Sequence, residues 1–219
     1  MSLQLFIHPF ASYCWKVLIA LNEQGLEFEV RLLDGSDASI VEDFAERWPL
    51  RKMPILVDAG RTVVESTIII EHLELHHAAE RRLLPDDAAV ALAIRLMDRI
   101  FDTYIHAPMQ AIVADALRPE GSRDALGTAQ AKATLASAYA WIESRLQAGV
   151  WACGERFTLA DCAAAPALFY ADWVCAIPPE LALLRDYRRR LLARPSVARC
   201  VEDARPFRSL FPLGAPDRD

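Results

Sequence analysis

Three consecutive side chains, Ser12, Tyr13 and Cys14, put two hydroxyls and a thiol near the head of a helical stretch. A thiol there can be reactive, because a helix N-terminus favours the thiolate. A redox-active dithiol would need a second Cys at position 11, where the chain carries Ala11. The plainer reading of Cys14 is a small packed residue. A second group is Glu65-Ser66, where a strand gives way to a helix. A Ser hydroxyl with the unpaired N–H groups of a helix start forms an anion site, and it can equally cap its own helix. The five Cys (14, 153, 162, 175, 200) have no CxxC or Cys/His ligand spacing, so free thiols and a reducing cytoplasm are expected. His76 and His77 diverge by about 100° on a helix and cannot share a metal. They are expected to be a solvated pair, with no metal bound.

The frame that must hold these groups is legible in composition. The chain has 219 residues, 53% hydrophobic and 25% charged, which excludes a disordered chain and allows one large domain or two small ones. Residues 1–79 hold 13 Val or Ile and 7 Ala, whereas 80–219 hold 12 and 29. β-branched residues favour strands and Ala favours helices. The reading is therefore α+β: a sheet domain over 1–79, a linker over 80–87, and an all-helical domain over 88–219. Strands are expected at 3–8, 27–33, 53–58 and 62–65, with helices at 13–24, before Trp48, and at 66–77. That βαβαββα order is thioredoxin-like. Farther on, a helix over 88–116 should bend near Pro108, another should span 124–148, and Thr158 with Asp161 should cap an apolar, buried helix. Arg188, Arg189 and Arg190 read as a solvated helix face. With 24 basic and 30 acidic residues, a net charge of −6 gives no support to nucleic-acid binding. The N-terminus reads as a mature start, and no apolar run is long enough to span a membrane.

Four segments in order resemble the cytosolic glutathione S-transferases, most closely bacterial zeta-like and theta-like members, over nearly the whole chain. They are the strand-loop-helix from Leu5 to Gly25, and Pro49-Leu50-Arg51-Lys52-Met53-Pro54-Ile55-Leu56, similar to N-P-x-G-K-V-P-x-L. Val64-Glu65-Ser66 follows ahead of an Ile-rich helix, and then the Phe157–Asp161 cap with Arg194-Pro195-Ser196 beyond it. The resemblance implies a cis-proline at Pro54, whose bend exposes the Met53 backbone to pair with an extended tripeptide. It implies glutathione bound by Lys52, Met53, Pro54, Glu65 and Ser66, with Glu65 meeting the ammonium and Ser66 the γ-glutamyl carboxylate.

The family's thiol-activating residue aligns with Ala11. Ser12-Tyr13-Cys14-Trp15-Lys16-Val17 is similar to the zeta-like S-x-[SC]-W-R-V, which makes Ser12 the expected thiolate stabiliser, with Tyr13 and Cys14 as alternatives. Phe10, Tyr104, Pro108 and Met109 are expected to line an electrophile pocket. The implied activity is glutathione transfer to a small hydrophobic electrophile in a homodimer, with Asp98 or Asp102 of the partner subunit near the ammonium. The alternatives are zeta-like isomerisation, thiol–disulfide reduction through Cys14, and a non-catalytic binding or regulatory role.

Overall fold

The computed structural model describes residues 3–77 and 81–218. Its first part runs β1 (Leu3–Ile7), α1 (Ser12–Gln24), β2 (Phe28–Leu32), α2 (Ala38–Arg47), β3 (Ile55–Asp58), β4 (Arg61–Val64) and α3 (Ser66–His76), the thioredoxin-like order. The sheet order is β2-β1-β3-β4, with β1 and β2 parallel and the other pairs antiparallel. Strand side chains alternate between faces. Leu3, Leu5, Ile7 and Leu56 enter the main core, while Phe6, Ile55 and Val57 meet Phe44 of α2 on the opposite face. Helices therefore cover both faces of the sheet.

The second part is helical: α4 (Ala88–Ile100), α5 (Ala107–Ala116), α6 (Ala125–Glu143), α7 (Leu159–Val174), α8 (Ala182–Leu192) and α9 (Pro195–Ala204). The expected single helix over 88–116 is interrupted one turn before Pro108. Phe101–His106 form a π-helical turn, in which the Ala107 N–H reaches back to the Asp102 carbonyl. Pro108 follows directly, and the backbone stays right-handed helical through the π-helical turn into α5. The helix expected over 124–148 stops at Glu143, where the Ser144 hydroxyl donates to the Trp141 carbonyl at 2.7 Å.

α7 is the axis of this part, buried from Leu159 to Trp173. Its run of Ala163, Ala164, Ala165 and Ala167 gives neighbouring helices close approach. Buried Asp161 holds its start: the carboxylate accepts from Thr158 N at 2.8 Å, Ala152 N at 2.9 Å and Tyr187 Oη at 2.6 Å. The Arg run differs from a solvated face. Arg189 is exposed, but Arg188 is largely covered beside Asp172, and Arg190 packs over Trp151. Aromatic rings at 151 and 169 draw these guanidiniums inward.

Candidate active site

The segment between β1 and α1 is held from three sides. Trp15 Nε1 donates to the Pro9 carbonyl at 2.6 Å, Tyr170 Oη to the Phe10 carbonyl at 3.1 Å, and Phe10 N to His8 Nδ1 at 3.1 Å. Ala11 occupies the N-cap position with no side chain to cap, so Ser12 opens the helix. Ser12 Oγ lies 2.5 Å from His106 Nε2 and accepts from Gln110 Nε2 at 3.1 Å.

The environment of His106 decides which way that hydroxyl points its proton. His106 is fully buried, and burial, aided by the Lys16 charge, lowers its pKa to about 3, so the ring is neutral. Its Nδ1 has no hydrogen-bond partner among the described residues. An unpaired buried lone pair costs less than an unpaired buried N–H, which places the ring proton on Nε2. His106 and Gln110 then both donate to Ser12 Oγ, and the serine's own proton is free to donate outward.

A pH dependence follows from this ring. The unfolded chain takes up a proton near pH 6.5 that the folded chain refuses down to about pH 3, so His106 contributes stability above pH 6.5 that is lost as pH falls. Between pH 6.5 and 5 the loss from this group should be about 2 kcal/mol. Urea unfolding at several pH values should show a shallower slope for His106→Gln than for the native chain over that interval.

Tyr13 stacks on the His106 ring with centroids 3.8 Å apart. Burial, then the Asp102 carboxylate, pushes its phenol up to about 12, so it stays protonated. Cys14 points into the core with no exposed surface, and burial pushes its thiol up to about 12. That placement removes it from the surface where a mixed disulfide would form, against the alternatives that gave it a reactive role.

Below the helix start, Lys16 is buried and ion-paired with Asp98 at 2.5 Å and Asp102 at 2.8 Å. It also donates to Thr67 Oγ1 at 2.8 Å, which in turn donates to Asp98 Oδ2 at 2.9 Å. This network ties α1, α3, α4 and the π-helical turn together beside Ser66. It also corrects the reading of Asp98 as a contact for the partner's ammonium, because that carboxylate is fully buried and engaged by Lys16.

A cleft of about 710 Å³ collects Ala11, Ser12, Tyr13, Arg51, Lys52, Met53, Pro54, Glu65, Ser66, Thr67, Arg99, Asp102 and Gln110 around it. The Met53–Pro54 bond is cis. Glu65 has a φ of 67°, an orientation an L residue holds only when its surroundings impose it, and sits exposed at the head of α3. The first N–H groups of α3 have no intrahelical carbonyl to meet. A smaller cleft of about 190 Å³, walled by Phe10, Met109, Val113, Tyr170, Leu210 and Phe211, shares Ala11, Ser12 and Gln110 with the larger one. Ser12 therefore stands where a cleft with charged side chains in its lining meets one lined without them.

Of the four residues expected in the apolar pocket, Phe10 and Met109 line it. Tyr104 lies elsewhere, in a groove with Ile100, Ala133 and Trp141, and Pro108 is buried without lining it. The expectation drew these residues from a bend at Pro108, and Tyr104 instead sits within the π-helical turn that precedes it. Sequence reasoning missed His106 and Gln110, whose i, i+4 spacing was the available signal, and Arg51, Arg99 and the C-terminal wall. His76 is exposed as expected, but His77 turns inward to Asp58.

Fold and cleft together define a thioredoxin-like domain that offers charged groups, a helix start and a cis-proline edge to an extended ligand, backed by a helical domain. The model of the glutathione S-transferase N-terminal domain matches residues 5–81, and that of the C-terminal domain matches 113–193. A glutathione S-transferase structure from Methylobacterium radiotolerans, in complex with glutathione sulfonate, is 32% identical. The match covers 92% of this chain and 95% of that one, with a TM-score of 0.76. Maleylacetoacetate isomerase of Mus musculus is 29% identical over 74% of this chain and 76% of its own length. A glutathione-bound structure from Methylobacillus flagellatus, 23% identical, shares the fold with a TM-score of 0.81 over 91% of this chain and 98% of that one. The chain belongs to the glutathione S-transferase family. None of its described helices is long and apolar enough to cross a membrane.

Proposed function

We propose that the protein is a glutathione transferase that activates the glutathione thiol with the Ser12 hydroxyl and delivers the sulfur to an electrophile in the adjoining apolar cleft. The observation that carries this reading is the position of Ser12 at the junction of the two clefts, within hydrogen-bond reach of His106 Nε2 and Gln110 Nε2. Glutathione lies along the larger cleft. Its γ-glutamyl carboxylate sits at Ser66 and the start of α3, its ammonium faces Glu65, and its cysteinyl backbone pairs with Met53 beside Pro54. Lys52, with Arg51 next to it, meets the glycyl carboxylate. A hydrogen bond from Ser12 to the sulfur stabilises the thiolate, which attacks an electrophilic carbon held between Phe10 and Met109. Isomerisation is the second reading, supported by the likeness to maleylacetoacetate isomerase: there the sulfur adds and later leaves.

The sheet domain over 1–79, the linker over 80–87 and the helical domain over 88–219 are taken as the functional division, and a homodimer in the cytoplasm as the working form. Family membership supports both. Glutathione at 100 times its Kd should stabilise the fold by about 2.7 kcal/mol, read as a rise in melting temperature. A melting temperature unchanged by millimolar glutathione would leave a binding-partner role instead.

A further inference from the structure

On the far side of the sheet domain from Ser12, three side chains from two elements converge. Asp58 ends β3, where Ala59 and Gly60, both with positive φ, turn the chain tightly into β4. α3 runs past this turn and presents His72, and His77 follows at its C-terminal cap. His72 Nε2 and His77 Nε2 each lie 2.8 Å from the same oxygen, Asp58 Oδ2. All three donor atoms fall within 4.8 Å of one another. The His77 hydrogen bond, with that of His72, holds the Asp58 carboxyl below its ordinary range.

We propose that Asp58, His72 and His77 form a binding site for a borderline divalent transition-metal ion, zinc being the natural occupant. Two imidazole nitrogens and one carboxylate oxygen are a donor set that zinc takes readily, with water completing a tetrahedron. Bonds of about 2.0–2.2 Å set donor atoms roughly 3.4 Å apart. The two pairs now at 2.8 Å need to open by about half an ångström, which rotation of His77 supplies for one and a small swing of the partly exposed Asp58 carboxylate supplies for the other. His72 is buried and fixed, whereas the His77 side chain is 26% exposed and leaves an entry path. Without metal, each Nε2–H donates to Asp58. On binding, each ring gives its Nε2 lone pair to the ion, and the proton it held there passes to Nδ1 or to solvent. His76 packs against His72, with ring centroids 4.4 Å apart, but its ring nitrogens lie outside the three-atom cluster. Bound metal would fasten the β3–β4 turn to the end of α3, whose other end carries Ser66.

Isothermal titration of zinc chloride into the chelator-treated full chain near pH 7.5 tests this. The expected result is one ion per chain with a Kd of about 10 µM or tighter, and a rise in melting temperature. Cobalt(II) should give visible bands without the thiolate charge-transfer band that binding at cysteine would add. His77→Ala and Asp58→Asn should each weaken binding at least about 10-fold while the far-UV circular dichroism stays native, and His76→Ala should leave it unchanged. Binding that survives both variants, a thiolate band, or no saturable heat would overturn the site.

Discussion

Ser12→Ala should lower kcat for glutathione conjugation about 10- to 100-fold, a change of one to two units in the bound thiol's pKa. Glutathione's Kd should move less than about threefold, because the ligand's charged ends are held elsewhere in the cleft. The reason lies in where the serine's proton points. His106 and Gln110 occupy the acceptor side of Ser12 Oγ, so its hydrogen bond goes to whatever sits at the cleft junction. A free thiol ionises near 8.5, and a hydrogen bond offered to the thiolate brings that value down. The pH profile of kcat, at saturating glutathione, should therefore rise through a lower inflection in the native enzyme, and the inflection should move up in Ser12→Ala. Cys14→Ser and Tyr13→Phe bracket the assignment, and each should stay within about threefold of native turnover. A Ser12→Ala variant with native turnover would return the role to Tyr13 or to the backbone.

Lys16→Met should destabilise the fold by about 3–5 kcal/mol, the scale for stripping the partner from a buried ion pair. Lys16 and Asp98 have no exposed side-chain surface, and the Asp102 side chain is 5% exposed. Removing the ammonium leaves two buried carboxylates packed together, with the mostly solvent-exposed Arg99 guanidinium, 3.4 Å from Asp102, as the cation left beside them among the described residues. Burial already raises the Asp102 pKa even with Lys16 present. A carboxyl whose folded pKa lies above its unfolded value favours the fold when protonated and disfavours it as pH rises. The deficit of Lys16→Met relative to the native chain should thus narrow from pH 7 to pH 5, in urea unfolding measured at both. Adding Asp98→Asn and Asp102→Asn to the variant should recover part of the loss. A deficit below about 1 kcal/mol at pH 7 would contradict the buried-network account.

The elements were legible where one period dominates. Alternation at Leu3, Leu5 and Ile7 marks β1, and the Thr158 to Asp161 spacing marks the start of α7. Met53-Pro54 and Glu65-Ser66 stood out because their meaning is local: a bend and a helix head. The π-helical turn was not legible, since nothing in Phe101–His106 announces one extra residue per turn, and Tyr104 was misplaced with it. His106 and Gln110 were missed for another reason. Their contacts with Ser12 span 94 and 98 residues of chain, so only the fold, which brings the π-helical turn and α5 to the head of α1, gives them chemical meaning.

The placement of the five cysteines bears on how long such an enzyme survives its own substrates. A compound reactive enough to be attacked by glutathione will also alkylate protein thiols, and the faster target is the one with more thiolate. Burial comes first among the causes that raise the pKa of Cys14, Cys153, Cys162, Cys175 and Cys200. A thiol at about 12, as for Cys14 and Cys153, carries roughly one thiolate in 10⁵ molecules at pH 7. On the proposed function, a glutathione thiol activated at the cleft junction would outcompete Cys14 and Cys153 by orders of magnitude. Such a chain would be chemically self-sparing, concentrating a nucleophile at one point and keeping its own thiols less reactive.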